Sequence, residues 1–230
     1  ENKFKTYCHD QQLVNSLSDN RIYAIHEDKL GDLWIGTWSG GINKFNFKEE
    51  KFTTYNVRNS NLSANNVWEI YEDSKGLLWV GTTYGLNLFN RGNDRFTRFT
   101  TSPNKKSISA NSISDIFEDS RGQLWVATLN GGLNLLDRKN MTFKHFAAAD
   151  GLVTDNIKSI LESDKQNLWL SSNKGLICFD PKSLSVDHYN TNDQLQSNNF
   201  NQNAKLKSQA GKLYFRSEER RVGKECPSPC

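Results

Sequence analysis

The chain has 230 residues, enough for one large all-β domain or two smaller ones with a sizeable core. Its net charge of +3 comes from 29 basic and 26 acidic residues interspersed along the chain, the pattern of a solvated surface, whereas a nucleic-acid footprint needs Lys and Arg clustered on one face. No run approaches the roughly 18 apolar residues that cross a bilayer, and four scattered cysteines, Cys8, Cys178, Cys226 and Cys230, form neither a disulfide framework nor a zinc spacing.

In chain order, the first feature is an F-x-x-Y segment, Phe4 to Tyr7, which predicts an outer strand. The stretches IYAIHE (22–27), DLWIGT (32–37), GINKFN (41–46) and KFTTYN (51–56) follow. They are rich in β-branched and aromatic residues and bounded by turn residues, so each reads as a short strand. The middle hairpin then recurs. GDLWIGTWSGGINKFN at 31–46 is followed by GLLWVGTTYGLNLFN at 76–90, GQLWVATLNGGLNLLD at 122–137 and a weaker QNLWLSSNKGLICFD at 166–180. Anchored on Trp34, Trp79, Trp125, Trp169 and a fifth copy at Tyr214, the period is about 45 residues, within the range of a propeller blade.

Other columns keep step with the tryptophans. Ile22, Val67, Ile113, Ile157 and Phe200 fall together, with Leu17, Leu62, Ile108, Leu152 and Leu195 five residues earlier. A four-stranded meander of this size cannot bury both faces alone, so radial stacking is expected, with the tryptophans filling the gaps between blades. The predicted fold is an all-β β-propeller fragment of four complete blades (17–56, 62–100, 108–147, 152–190), a partial one at 195–215 and another at the start. It is expected to belong to a larger ring. Residues 216–230, RSEERRVGKECPSPC, carry no strand periodicity and read as a non-propeller tail, disordered or artefactual, in which Cys226 and Cys230 are given no function.

Between the first two strands of a unit lies E-D-x-x-G, ending at Gly31, Gly76 and Gly122. A polar turn closing on Gly supplies the positive φ of a tight hairpin, and Asp can accept from the amides that follow. These carboxylates recur in three blades, which one active site would not require, so they read as turn structure. The small residue after Trp-aliphatic (Gly36, Gly81, Ala127) predicts close approach of a neighbouring backbone.

The unit N-x-(I/V)-x-x-I-x-E-D-x-x-G-x-L-W-h-G-T-x-x-G-(G)-h-N, where h is aliphatic, resembles the two-component regulator propeller repeat. ANNVWEIYEDSKGLLWVGTTYGLNLFN fits it along its whole length, while the fourth copy departs at Ser163, Gln166 and Ser171. The resemblance implies the periplasmic sensor region of a hybrid sensor histidine kinase of Bacteroidetes type. It also implies an oligosaccharide ligand and a homodimeric receptor. Further blades, a sandwich domain and membrane, kinase and DNA-binding segments would lie elsewhere, and this region would not touch nucleic acid.

No catalytic motif, metal site or cofactor site is read in the sequence. His9, His26, His145 and His188 occupy different places in the repeat, which argues against a common metal site. Binding is better sought where the copies disagree. If the first strand of each unit lines the channel, one rim gathers the loops before strand one (Arg21, Asn66, Ser112, Asn156) and those between strands two and three (Trp38, Tyr84, Asn130, Lys174). Flat aromatics edged by amides and charges suit a sugar, with its apolar ring face and hydroxyl edge. The structural alternative is that Trp38 and Tyr84 pack on neighbouring loops. Trp68, aligned with Tyr23, Ser114 and Lys158, reads as core or as channel border. A protein-interaction scaffold and a secreted lyase or glycosidase are the competing functions; the enzyme would need an acid/base pair converging on one rim.

Overall fold

The computed structural model describes residues 4–104 and 106–217. The chain divides into two compact units, Glu1–Thr100 and Thr101–Cys230. The first holds two antiparallel four-stranded meanders. One is β1 (Ile22–Glu27), β2 (Leu33–Thr37), β3 (Ile42–Asn46) and β4 (Lys51–Tyr55); the other is β5 (Val67–Glu72), β6 (Leu78–Thr82), β7 (Gly85–Asn90) and β8 (Arg95–Phe99).

The second unit repeats the plan. It has β9 (Ile113–Glu118), β10 (Leu124–Thr128), β11 (Leu133–Asp137) and β12 (Thr142–Phe146), then β13 (Ile157–Glu162), β14 (Leu168–Ser172), β15 (Leu176–Phe179) and β16 (Val186–Tyr189). A two-stranded sheet of β17 (Phe200–Lys207) and β18 (Leu213–Ser217) completes it. These are the blades of a β-propeller fragment, four complete and one partial. Ser217 pairs with Phe200 as Thr37 pairs with Ile22, so the repeat's register continues two residues past Phe215. Residues 218–230 of the tail lie outside the described residues.

Phe4–Tyr7 forms no strand. Strands need a ladder partner; β4 is the edge of its sheet and residues 4–7 add none to it. The Tyr7 ring instead packs edge-on against Phe45 and Phe52, with centroids 4.9 and 5.8 Å away.

In each unit the core lies between successive blades. Trp34 on β2 is buried with Ile42, Leu62, Val67, Ile70 and Phe89, its ring 5.0 Å from Phe89 of the next blade. Trp125 on β10 is buried with Ile157, Ile160, Leu168 and Phe179, and lies 5.9 Å from Phe179. Trp79 is fully buried, and Trp169 is buried against Phe200. Strand β6, LWVGT, is buried at every position, because a middle strand of a blade is covered on both faces. By contrast Ile22 and Ile25 are 43% and 64% exposed, at columns where Ile113, Ile116, Ile157 and Ile160 are at 0%.

Gly31 and Gly36 serve different needs. Gly31 has φ +80° with open space around it, so the hairpin requires its conformation. At Gly36 an added Cβ would lie 2.6 Å from Val67 Cγ1 of the next blade. The neighbour that excludes a side chain is therefore another side chain, whereas the sequence pattern predicted a backbone.

Candidate functional site

Each blade has two ends, and they are built differently. At the hairpin end the Asp of E-D-x-x-G is buried and holds the turn and the tryptophan of its own blade. Asp28 Oδ1 accepts from the amides of Leu30 and Asp32 at 3.0 and 2.9 Å, while Oδ2 accepts from Trp34 Nε1 at 2.8 Å. Asp73 with Trp79 (2.9 Å) and Asp119 with Trp125 (3.0 Å) repeat the arrangement. Burial pushes the Asp28 carboxyl up, but bonds from Trp34, Asp32 and Arg91 outweigh it and hold its pKa below the ordinary value.

The adjoining Glu reaches the preceding blade. Glu72 accepts from Lys29 N at 2.8 Å, and Glu162 accepts from Ser120 N and Oγ, both at 2.9 Å. Arg91 of the second blade ties the two carboxylates together, donating to Asp28 of the first blade at 2.9 Å and lying 3.4 Å from Glu72 of its own. In the fourth blade Ser163 stands for Asp and Gln166 takes the positive φ, +65°, in place of Gly.

At the other end, the loop before the first strand and the loop between the second and third lie side by side. Trp38 N donates to Arg21 O, Thr83 N to Asn66 O and Leu129 N to Ser112 O, at 2.9, 3.2 and 3.1 Å. The buried Asn at the end of the repeat motif ties this end together. Asn87 Nδ2 donates to Ser63 Oγ and Val80 O while its Oδ1 accepts from Ser63 N; Asn43 acts alike, and Asn134 repeats the bonds to Ser109 N and Val126 O.

In the first unit, Arg21 is exposed but engaged, its guanidinium donating to Asp19 at 3.2–3.3 Å and to Ser39 Oγ at 3.1 Å. Burial pushes the Asp19 carboxyl up, yet the bonds from Ser39 and Arg21 prevail and hold it well below the usual carboxylate range. Trp38 is half-buried and lies against Tyr23, centroids 5.2 Å apart and planes at 31°. Tyr23 and Tyr84 remain 55% and 61% exposed, leaving aromatic surface open to solvent. The side chain of Asn66 donates to Trp38 O of the preceding blade.

In the second unit, Asn156 Nδ2 makes the equivalent bond to Leu129 O at 2.6 Å, and its Oδ1 is buried without a partner among the described residues. Asn66 and Asn156 are therefore both inter-blade clamps. Asn130 is exposed. Lys174 is exposed, with Nζ 3.4 Å from Val153 O.

The histidines do not converge. His9 meets Leu17 O, His145 meets Ser107 O and His188 meets Lys174 O. No three His, Cys, Asp or Glu side chains among the described residues are grouped to hold a metal.

Two features of the sites escaped sequence reasoning. Tyr23 was visible as a varying column, but its contact with Trp38 joins the start of β1 to the loop after β2. The second is Lys205. Four blades place Ile25, Ile70, Ile116 and Ile160 opposite the second strand, and the fifth places Lys205 there, opposite Phe215. The register shifts between Phe200 and Lys205, so counting from Phe200 misses the match. Lys205 pairs with the fully buried Asp115, which also accepts from Ile160 N at 2.6 Å; Lys205 donates further to Ile160 O. One ion pair thereby joins the first strands of three blades.

The Two component regulator propeller family profile matches residues 16–39, 61–84 and 107–130. The extracellular domain assigned to a hybrid two-component system of B. thetaiotaomicron superposes with a TM-score of 0.79 at 26% identity, covering 94% of this chain and 28% of that one. Virginiamycin B lyase from Staphylococcus aureus superposes with a TM-score of 0.62 at 16% identity, covering 86% of this chain and 63% of the lyase, a likeness of fold alone. Among curated proteins, Histidine kinase P4 of Formosa agariphila is 35% identical over 66 residues, 29% of this chain and 5% of that protein. The chain thus spans a small part of these sensor relatives. Three of its repeats match the two-component regulator propeller profile, and the chain folds as a β-propeller, as does the extracellular domain of that hybrid two-component system.

Proposed function

We propose that the chain is a non-catalytic ligand-sensing part of a hybrid two-component receptor. It lies in the periplasm, binds an oligosaccharide at the loop end of its blades and, within a homodimeric receptor, signals across the membrane to a histidine kinase. The observation that carries the ligand reading is the Trp38–Tyr23 pair, a half-buried indole beside an exposed phenol on a scaffold whose other loop contacts are fixed. An aromatic surface of this kind suits the apolar face of a pyranose, and rigid blades bearing variable loops suit recognition. Signalling follows only if the ligand binds two receptor arrangements with different affinity. The test is tryptophan fluorescence titrated with a panel of neutral and acidic oligosaccharides. Saturable quenching that Trp38→Ala abolishes supports the reading. A flat response across the panel leaves a protein-interaction scaffold.

A further inference from the structure

Beside the Trp38 loop, within the first unit, lies a cavity of about 390 Å³, lined among others by Asp10, Ser39, Asn56, Arg58 and Asn65. That is large enough for a sugar residue or two. Its polar groups are not equivalent. Arg21, close by in sequence, is neutralised by Asp19. The Arg58 guanidinium makes no hydrogen bond or ion pair with any described residue, so a full positive charge stands available at the cavity.

The two amides are fixed in one orientation. Asn56 Oδ1 accepts from the backbone N–H groups of Arg58 and Asn59 at 2.9 and 3.3 Å, and Asn65 Oδ1 accepts from Val57 N at 3.0 Å. An N–H can be met only by the oxygen end of an amide, so what both side chains have left to offer is their NH2. Two amide donors and one unpaired guanidinium line one cavity, and Asp10 adds a carboxylate acceptor.

We propose that this cavity recognises the anionic group of an acidic saccharide, a uronate carboxylate or a sulfate ester. Arg58 is the counter-charge, the Asn56 and Asn65 amides are further donors, and Asp10 accepts neighbouring sugar hydroxyls. The inference rests on the saccharide reading above and adds the charge of the ligand. Guanidinium matches the planar, two-oxygen edge of a carboxylate or sulfate, and such charge-assisted pairs are stronger than neutral ones.

The test compares three matched disaccharides, galactobiose, digalacturonate and a 6-sulfated galactobiose, by calorimetric titration of the full chain and of Arg58→Gln and Arg58→Lys. Because the Arg58 side chain holds nothing in the fold, both variants should melt with the wild type. The expected result is at least about tenfold tighter binding of one anionic disaccharide than of galactobiose, weakening with added salt. Arg58→Gln should erase that preference and Arg58→Lys should restore part of it. Which anionic disaccharide binds identifies the source of the charge. Equal binding of galactobiose and the anionic pair, or an anionic preference untouched by Arg58→Gln, overturns the assignment and leaves the saccharide reading standing. Absence of binding by all three, with no quenching in the wider panel, removes both.

Discussion

Trp79 Nε1 donates to Asp73 Oδ2 at 2.9 Å, and the other oxygen of the same carboxylate accepts from the Lys75 and Leu77 amides. One buried side chain thereby holds the turn and fixes the ring that fills the space between blades. Asp73→Asn keeps a single oxygen and sets an NH2 against either the indole or the amides. It should destabilise the chain by about 1–3 kcal/mol, the cost of an unsatisfied buried group. Trp79→Ala should cost about 3–5 kcal/mol. In urea denaturation the Asp73→Asn/Trp79→Phe double variant should fall short of the sum of its singles; strict additivity would mean the bond contributes nothing of its own.

Trp38→Ala should behave differently. The Trp38 bonds to Arg21 and Asn66 run through its backbone N–H and C=O, which alanine keeps. The thermal midpoint should therefore stay close to wild type while oligosaccharide binding weakens. A drop as large as that of Trp79→Ala would make Trp38 a core residue.

The two hairpin glycines offer a contrast. Gly36→Ala places a methyl against Val67 Cγ1 and should cost about 1–3 kcal/mol by overpacking, with partial rescue by Val67→Ala. Gly31→Ala meets no atom and carries only the strain of its positive φ, about 1–2 kcal/mol, which Val67→Ala should not relieve. Rescue of both variants, or of neither, would contradict the separation of space from conformation.

His26 is partly buried on β1, and its Nε2 lacks a partner among the described residues. Burial lowers its pKa, opposed by Glu72 and Asp28, which favour the cation. The unfolded chain, titrating near 6.5, then binds more protons than the folded one just below that pH. His26 therefore contributes stability that is present above pH 6.5 and lost as pH falls toward its folded pKa. Thermal midpoints measured from pH 5 to 7.5 should fall on the acid side, and His26→Gln should flatten that slope.

Removing one partner of the Asp115–Lys205 pair leaves a buried charge. Lys205→Met alone should cost about 3–5 kcal/mol, whereas Asp115→Leu with Lys205→Met should recover most of it. Calorimetric unfolding of the three chains checks this; no recovery in the double variant would mean that the bonds from Asp115 to the Ile116 and Ile160 amides, more than the pair, hold the three strands.

The sequence by itself determined the blades. A period of about 45 residues, Trp34, Trp79, Trp125 and Trp169 in one column and E-D-x-x-G in another are local patterns, and hairpins between neighbouring strands are made by residues close in the chain. It also showed which loop columns vary. What those varying residues do was decided only by the tertiary structure. Asn66 and Asn156 look like ligand-facing amides but clamp the preceding blade, and Glu72 looks like half of a turn but holds Lys29 one repeat away. Arg21 and Arg58 are alike in one dimension; Asp19 and Ser39 take up the charge of one and leave the other free. The physical reason is the same throughout. A repeat fixes bonds inside its own unit, whereas bonds between units, such as Lys205 with Asp115, depend on register and approach that no single unit encodes.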